Sequence, residues 1–578
     1  MPKIGTRYVP DEGPMNADIV IVGEAPGSTE EYEQRPFVGD GGNMLLTVLG
    51  RNGIQREDVR LTNLCHYRPF PNNNFAHLYG SEELTNGVEG LQAYLKDSTP
   101  KVVIALGNQP LYYLTGKYGV KQGSGIGNWR GSVLPCILEG CKHVKVVPTF
   151  HPAFLLRDRK KYPIFDLDIR FALEEATREG LPIRNDTVII DPKYSALTEA
   201  TDRLLAAPCL TADIETYGTH IACISFSTSS SDAVVYGSLQ EAGTRNAIRA
   251  VLTSGIPLTF HFGSFDVPVL EYNAFKVSNW EDDTMAMLHV LQPELPRSLA
   301  YATSVYTLPR RPYYKEERKV EGDGDEKVWK KKVSKEQLMA YCAKDTMATH
   351  EVKEKALIEL AEGPKSFMIR YRNNIRQMRG PALHMMNTGI LVDQERKALI
   401  GKIIEYTWAE MQIDLNTLVG FKLNVASTTK VPTVLYDLLK LPVKTKVNEK
   451  GETVRVADDG ALVSHLNFIQ GKMQKLVRPK SIAEWKHKLV IVKLIRLIRG
   501  LRKRRSSYIK PEVSADGRWR STWKVPATET ARWACQKYFD GTGLNAQTFP
   551  RDPVTVSETI AGIIEKELAL VEESKNGE

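Results

Sequence analysis

Two carboxylates stand one residue apart at the end of an apolar run near the middle of the chain, in residues 210–216. Alternate side chains of a β-strand share one face, so Asp213 and Glu215 are predicted to point the same way. Neighbouring carboxylates repel each other unless a cation lies between them, and carboxylate oxygens suit divalent metals. The pair is therefore a candidate metal site, although a solvated strand end would give the same local pattern.

Further acidic residues follow downstream in a definite order. Asp266 comes shortly after the apolar segment 256–260, and residues 282–291 have the pattern of a helix that begins with acidic residues. Tyr341 and Asp345 lie four residues apart in a segment of helical pattern, so their side chains are predicted to share one helix face. This constellation resembles the proofreading 3′–5′ exonuclease domain of family A DNA polymerases, in the form that carries a tyrosine.

The resemblance implies an RNase H-like fold and hydrolysis of phosphodiester bonds with two divalent ions, Mg or Mn. Two such ions about 3.5–4 Å apart can activate a water and neutralise the leaving oxygen. The implied metal ligands are Asp213, Glu215, Asp266 and Asp345, with Asp213 bridging the ions and Tyr341 orienting the water. The family usually has Asn where this chain has Phe262. That departure concerns a substrate contact and leaves the metal site intact.

The first 178 residues or so have the pattern of an α/β domain. Apolar strands are predicted at residues 17–23, 101–106 and 144–147, and each one ends in a loop rich in Gly, Pro or polar residues. Parallel sheets bind their ligands beyond the carboxyl ends of the strands. The loops after these strands are therefore candidate binding loops.

The loop sequences at 23–27, 35–39, 61–63 and 151–157 resemble those of uracil-DNA glycosylases, closest to family 4. Enzymes of this kind extrude the target base from the helix before they act on it. The resemblance implies that Phe37 stacks on the flipped base and that Asn63 hydrogen-bonds its Watson–Crick edge. It also implies that His151 stabilises the departing uracil anion, while Glu24 and Glu30 lie near the attacking water. Excision of uracil and mere binding of uracil or DNA both remain open.

Family 4 enzymes hold an iron–sulfur cluster through four cysteines, and this chain departs from that pattern. No cysteine precedes Gly23, and Tyr67 and Asn86 stand at the positions aligned with the two later ligands. Cys65 alone cannot hold a cluster, so no iron–sulfur cluster is predicted.

The composition is that of a folded multidomain protein. The chain has 578 residues, too many for one core, and its net charge of +8 is compatible with a polyanionic partner. Seven cysteines are scattered without a CxxC pair, which favours a reducing compartment. No signal peptide or membrane span is predicted, so the expected location is the cytoplasm, that of the host if a bacteriophage encodes the chain.

From about residue 366 the pattern is helical. Segments 389–393 and 423–427 resemble the entry to the polymerase region and the thumb of family A enzymes. A basic stretch follows, and we expect it to grip duplex DNA rather than form a solvated face; its candidate contacts are Arg502, Lys503, Arg504, Arg505 and Tyr508. The segments at 528–532 and 544–550 resemble the start of the palm. By that resemblance, Arg532, Asn545 and Gln547 touch the primer–template.

The palm carboxylates and the fingers helix that such a polymerase needs are not recognised after Pro550, where a short helix is predicted at 557–573. Nucleotide addition requires metal-bound palm carboxylates, so we expect no polymerisation by this chain alone. Either a second polypeptide carries fingers and palm, or the gene is interrupted or truncated. The order of domains looks like that of some bacteriophage replicative polymerases.

The sequence thus predicts an α/β multidomain protein. The expected domains are a uracil-DNA glycosylase-like domain at 1–178, an exonuclease domain at 192–365 and a mostly helical, partial polymerase domain at 366–578. The leading functional hypothesis is a metal-dependent proofreading exonuclease within a replicative DNA polymerase. The alternative is a DNA-binding half of a split polymerase with a domain that recognises or excises uracil.

Overall fold

The computed structural model describes residues 4–118, 125–307, 333–448 and 452–548. These residues form two compact units. The first unit covers the described parts of Met1–Arg379 and Val525–Arg532, and the second covers those of Gly380–Lys524 and Trp533–Glu578. The α/β multidomain fold class is confirmed. The helix predicted at 557–573 lies outside the described residues.

A five-stranded sheet organises the N-terminal part of the first unit. Its strands are β1 Ile19–Gly23, β2 Arg60–Asn63, β3 Val102–Leu106, β4 Leu134–Pro135 and β5 Lys145–Thr149. The spatial order is β2-β1-β3-β5-β4, with every neighbouring pair parallel except β4 and β5. All three strands expected from the apolar runs are present.

Helices cover both faces of this sheet. They are α1 Ser28–Glu33, α2 Asp40–Arg51, α3 Glu82–Ser98, α4 Asn108–Thr115, α5 Ile126–Trp129, α6 Pro152–Leu155 and α7 Tyr162–Glu175. Side chains of β1 alternate between two apolar clusters, since Ile21 packs with Phe165 of α7 and Val22 packs with Leu91 of α3. A strand buried on both faces is apolar throughout, which is why the sequence shows a continuous apolar run.

A six-stranded mixed sheet forms the next part of the first unit. Its strands are β6 Thr187–Ile190, β7 Leu210–Tyr217, β8 His220–Ser229, β9 Asp232–Tyr236, β10 Leu258–Phe260 and β11 Trp280–Asp283. The spatial order is β11-β10-β7-β8-β9-β6. Strands β7, β8 and β9 form an antiparallel meander, and β10 runs parallel to β7. The strand that carries Asp213 and Glu215 is thus central in the sheet.

The helices around this second sheet are α8 Tyr194–Leu205, α9 Ala242–Thr253, α10 Gly263–Tyr272, α11 Thr284–Leu291, α12 Leu299–Tyr306, α13 Lys335–Glu362 and α14 Lys365–Ile369. Helix α13 lies across the meander, where Leu338 and Cys342 pack against Cys223 and Val235. Its first turn has a capping box. Ser334 Oγ accepts from the Gln337 amide at 3.2 Å, and the Gln337 side-chain oxygen accepts from the Ser334 amide at 2.9 Å.

Helix α12 joins the two sheet domains of the first unit. The ring of Tyr301 belongs to the same apolar cluster as Ile21 and Phe165. Beside it, the buried Arg130 donates to both oxygens of Asp168 and, at 2.8 Å, to Ser304 of α12. The core of the N-terminal domain is therefore completed by a helix from the following domain.

The second unit is mainly helical. Its helices are α15 Arg379–Thr388, α16 Gln394–Val419, α17 Lys430–Thr433, α18 Asp459–Met473 and α19 Pro479–Arg504. The paired strands are β12 Ile390–Leu391 with β15 Arg518–Trp519, β13 Thr445–Val447 with β14 Thr453–Arg455, and β16 Ser521–Lys524 with β17 Ala534–Lys537. Helices α16, α18 and α19 share one core, which includes Leu415, Leu462 and Ile495. Among the described helices, none has the length and apolar character needed to cross a membrane.

Candidate functional site

The carboxylates of β7 and α13 come together in the second sheet domain. Asp213 and Glu215 alternate along β7 and lie opposite Ser225 and Cys223 of β8. Asp345 lies on α13, one turn after Tyr341. One carboxylate oxygen from each of Asp213, Glu215 and Asp345 lies within 4.8 Å of the other two. A hydrogen bond connects β7 to α13, in which the Thr211 hydroxyl donates to the Thr346 carbonyl at 2.9 Å.

Asp266 approaches the same strand from the first turn of α10 and is buried. Burial raises the pKa of Asp266 well above its ordinary value, and repulsion from Asp283 and Glu215 adds to the increase. Hydrogen bonds from its own amide and from the Ile214 amide oppose this shift in pKa. Asp266 is not a member of the 4.8 Å group, which holds three carboxylates. A buried set of mutually repelling carboxylates is stabilised by a cation, so these residues fit divalent metal ions.

Tyr341 is buried on α13, and its neighbour Cys342 contacts the acidic cluster directly. The Cys342 thiol lies 3.6 Å from Asp213 Oδ2 and 3.5 Å from the Asp213 carbonyl oxygen. Burial raises the pKa of Cys342, with further increases from Cys223, Asp213 and Glu215, so the thiol stays protonated and donates to Asp213. The sequence analysis assigned no role to Cys342, whose position one residue after Tyr341 was the available signal.

Asp283 is a second residue that the sequence analysis left without a role. Its carboxylate caps α11 by accepting from the Ala286 amide at 3.2 Å. The same carboxylate accepts from the amides of Gly263, at 2.9 Å, and Phe262, at 3.3 Å, where α10 begins. Asp283 therefore connects the start of the helix that carries Asp266 to the neighbouring helix. Its place before an apolar helix is a recognisable cap signal, but the contacts to α10 are not visible in sequence.

Phe262 precedes α10 in a left-handed backbone conformation, with φ of 70°. Bulky residues rarely adopt this conformation, whereas Asn adopts it more readily. The position at which the resembled family has Asn is thus one whose backbone favours Asn.

A cavity of about 670 Å³ lies beyond the carboxyl ends of the strands in the N-terminal domain. All five predicted residues line it, namely Glu24, Glu30, Phe37, Asn63 and His151. Gly23 allows two of them to approach, because a Cβ there would lie 2.3 Å from Asn63 Oδ1 and 2.8 Å from Phe37 Cζ. Phe37 and Asn63 are both buried, so their positions are well defined by packing.

His151 lies two residues after the end of β5 and caps α6. Its Nδ1 accepts a hydrogen bond from the Ala153 amide at 3.2 Å, which assigns the ring proton to Nε2. Burial, with a further contribution from Arg157, lowers the pKa of His151 to about 4. His151 is therefore neutral at physiological pH and offers an N–H donor at Nε2.

The two glutamates of this cavity have different surroundings. Burial raises the pKa of Glu24, against hydrogen bonds from the amides of Gln109 and Asn108. Glu30 accepts from the Gly39 amide at 2.8 Å and from the Gly27 amide at 3.1 Å. Both oxygens of Glu30 thus bridge two of the loops that surround the cavity.

The residues of this domain do not fit an iron–sulfur cluster. Cys65 lies in the same apolar cluster as Cys136 and Cys141, and burial raises the pKa of Cys65 and of Cys136 to about 11. The Tyr67 ring packs edge-on against Tyr8, with ring centroids 5.6 Å apart, and Asn86 is exposed. A cluster requires several thiolate ligands, and neither Tyr67 nor Asn86 supplies one beside Cys65.

In the second unit, several predicted DNA contacts already have partners in the protein. The Arg502 guanidinium lies over the Trp408 ring, 5.0 Å from its centroid, and Arg505 pairs with Glu405. Tyr508 donates to the Thr548 carbonyl. Lys503 is exposed, and Arg504 lies with Tyr508 along a cavity of about 330 Å³.

The three residues predicted to touch the primer–template fall in different units. Arg532 is exposed and belongs to the first unit, whereas Asn545 and Gln547 belong to the second. Gln547 donates through its side chain to the Trp533 carbonyl at 2.9 Å, and Asn545 Oδ1 accepts from the Gln547 amide. The second unit therefore uses the polar groups of Asn545 and Gln547 to order its own loop.

Comparison with known proteins identifies two families in this chain. Residues 10–175 match the uracil DNA glycosylase superfamily, and residues 188–360 match a 3′–5′ exonuclease family. The type-4 uracil-DNA glycosylase of Saccharolobus solfataricus is 35% identical over 188 residues, which are 32% of this chain and 82% of that protein. The corresponding enzyme of Thermotoga maritima is 39% identical over 155 residues, 27% of this chain and 74% of that protein.

Among solved structures, the POL domain of Pol1 from M. smegmatis, in complex with DNA primer-template and dNTP, aligns with a TM-score of 0.45 and 16% identity. The alignment covers 63% of this chain and 56% of that one. The predicted order of a glycosylase-like domain followed by an exonuclease domain is confirmed by the two family matches. The chain belongs to the uracil-DNA glycosylase superfamily through residues 10–175, and it carries a 3′–5′ exonuclease domain at residues 188–360.

Proposed function

We propose that this chain removes mispaired nucleotides from the 3′ end of DNA, as the proofreading part of a replicative family A DNA polymerase. The observation that carries this proposal is the group of three carboxylates where β7 meets α13. Asp213, Glu215 and Asp345 would hold divalent ions, Mg²⁺ or Mn²⁺, and Asp266 would complete the ligand set from α10. When bound, such ions lower the pKa of water and neutralise charge on the leaving oxygen.

The other residues of the site orient the reacting groups. Tyr341 would position the attacking water through its hydroxyl, since it lies one helical turn before Asp345. The Cys342 thiol restrains the Asp213 carboxylate through its hydrogen bond. Asp283 holds the first amides of α10 and thereby supports the position of Asp266. We assign these two residues the role of positioning the metal ligands.

Digestion of a 5′-labelled primer–template with a 3′ mismatch, in Mg²⁺, tests this function. We expect stepwise shortening from the 3′ end that a chelator stops. Asp213→Ala should abolish shortening while leaving DNA binding intact, and Asp393→Ala, at a helix cap of the second unit, is the matched acidic control. An unchanged rate in Asp213→Ala would contradict the proposed site.

A second candidate function is recognition of uracil in DNA by the N-terminal domain. It is supported by the cavity that brings the Phe37 ring, the Asn63 amide and the neutral His151 together. Phe37 would stack on the base, Asn63 would hydrogen-bond its polar edge, and His151 Nε2 would donate to a uracil oxygen. Glu24, with its raised pKa, would lie near an attacking water if the domain excises the base.

Release of free uracil from a uracil-containing strand separates excision from simple binding. We expect His151→Ala and Asn63→Ala to remove the release, or the preference for uracil over thymine if the wild type only binds. Release that persists in both variants would contradict the assignment of this cavity.

The proposed partners are primer–template DNA, a single-stranded 3′ end and a second polypeptide that carries polymerase fingers and palm. Arg502–Arg505 and Tyr508 would contact the DNA backbone, and Arg532, Asn545 and Gln547 would lie at the primer–template. Copurification with a fingers–palm polypeptide would support this assembly, whereas nucleotide addition by the purified chain alone would contradict it. The seven cysteines are free, as is usual in a reducing compartment. The proposed location is therefore the cytoplasm, which would be that of the host cell if a bacteriophage encodes the protein.

A further inference from the structure

A second cavity of the first unit, of about 540 Å³, is built from three segments that are distant in sequence. One side comes from the end of the turn Arg159–Lys161 and the start of α7, a second from residues 293–297 before α12, and a third from residues 527–530. The last segment is held in place because His289 Nε2 contacts the Thr528 carbonyl at 2.7 Å and Arg297 donates to the Ala527 carbonyl.

Three cationic side chains line this cavity. Lys160 is exposed, Lys161 is half-buried, and neither has a carboxylate partner within the described ranges. The Arg297 Nη1 nitrogen is buried and has no hydrogen-bond acceptor among the described residues. A buried guanidinium donor without an acceptor costs free energy, so its position favours an anionic ligand.

Two carboxylates also line the cavity and reduce its positive charge. Glu294 and Glu529 are both exposed, and Glu529 lies close enough to Arg297 to affect it electrostatically. The charge of the lining remains positive, because the three cationic side chains outnumber the two carboxylates. Positive side chains that converge from separate segments are typical of sites for phosphate groups.

One segment that lines this cavity follows directly in sequence on a segment that lines the cavity around His151, which we call the uracil cavity. Leu156 and Arg157 line the uracil cavity, and the turn that follows them carries Lys160 and Lys161 into the second one. One short segment of chain therefore borders both cavities. We propose that the second cavity binds backbone phosphodiester groups of a single DNA strand, an inference that rests on the proposed uracil function for the origin of that strand.

Salt dependence of DNA binding tests this inference in the full chain. Single-stranded oligonucleotides with uracil or thymine at one position are titrated over a range of NaCl concentrations, in chelator so that the exonuclease does not degrade them. Each phosphate contact to a single strand contributes about 0.7 to the slope of log K against log salt. We expect Lys160→Gln/Lys161→Gln to reduce that slope by about 0.7 per lost contact, equally for both oligonucleotides.

The control is Lys96→Gln/Lys142→Gln, which removes the same charge from two exposed lysines that line neither cavity. A slope that falls equally in the control, or that does not fall in Lys160→Gln/Lys161→Gln, overturns the proposal. Inorganic phosphate is the other source of the same chemistry. Competition by millimolar phosphate that the double variant removes, without any change in the DNA slope, also overturns it.

The experiment separates this inference from the proposed uracil function. Asn63→Ala should remove the preference for the uracil oligonucleotide and leave the salt slope unchanged. A wild-type chain without any uracil preference would refute the uracil function, whereas the slope comparison would still decide the phosphate site. Arg297→Met provides a second cavity variant, with its thermal midpoint measured to confirm that the first unit remains folded.

Discussion

Replacement of Asp283 by alanine tests whether the exonuclease carboxylates depend on a residue outside the group of three. The Asp283 carboxylate accepts from the amides of Ala286, Gly263 and Phe262, at 3.2, 2.9 and 3.3 Å. Two of these amides begin α10, whose first turn carries Asp266. The variant therefore removes the Asp283 acceptor from the amides of Phe262 and Gly263, which begin α10.

The expected cost follows from the three lost contacts. Loss of the cap of α11 costs about 1 kcal/mol. The Gly263 amide is buried and the Phe262 amide is partly buried, and loss of the Asp283 acceptor costs about 1 kcal/mol per amide. Removal of the negative charge beside Asp266 relieves some repulsion and offsets part of this sum. We expect a net destabilisation of about 2–3 kcal/mol in the exonuclease domain, within the usual range for loss of a buried network.

Urea denaturation and the rate of mismatch removal at low temperature measure the two consequences. The midpoint should fall, and the rate should fall even where the domain remains folded, because Asp266 is displaced. Asp458→Ala is the matched control, since it removes a cap that accepts from the Ala461 amide at 2.9 Å in the second unit. If Asp283→Ala retains the wild-type rate and midpoint, Asp283 does not support the metal ligands.

Three further predictions concern the N-terminal domain. Gly23→Ala should abolish uracil preference, because its Cβ would overlap two side chains of the uracil cavity, whereas Gly50→Ala, with open space around its Cβ, should retain it in the same binding assay. Arg130→Met should lower the thermal midpoint of the first unit, since it removes the guanidinium that neutralises the buried Asp168 carboxylate, at a cost of about 3–5 kcal/mol; an unchanged midpoint would contradict this. In the folded protein the pKa of His151 is lowered to about 4, below its ordinary value. The unfolded chain therefore binds this proton at higher pH than the folded protein does. As a result, His151 leaves the folded state fully stable above the unfolded pKa, and stability is lost as pH falls toward 4. Uracil preference measured in chelator should accordingly be constant from pH 8 to about 6, and loss of preference near pH 7 would refute the neutral assignment.

Local periodicity explains why the candidate exonuclease residues could be predicted from sequence. Asp213 and Glu215 share a strand face, and Tyr341 and Asp345 share a helix face, because each spacing matches the repeat of its element. The apolar strands of the N-terminal domain could also be predicted from local sequence, because a strand buried on both faces leaves a continuous apolar run. The roles of these residues remain proposals that the experiments above address.

Other features depend on contacts between residues that are distant in sequence. Cys342 approaches Asp213 across 129 positions, and nothing in the local sequence of either residue indicates that contact. Residues 525–532 belong to the first unit although the chain on both sides of them belongs to the second, and no local sequence pattern indicates that return.

The sequence by itself determined which side chains are available for chemistry and which element carries each of them, because strand and helix repeats act over a few residues. Only the tertiary structure decided how those elements meet. It brought three carboxylates within 4.8 Å, assigned the proton of His151 to Nε2, and used Asp283 to connect two helices. Distances, burial and pKa values arise from packing between distant segments, and such packing has no local signature in the chain.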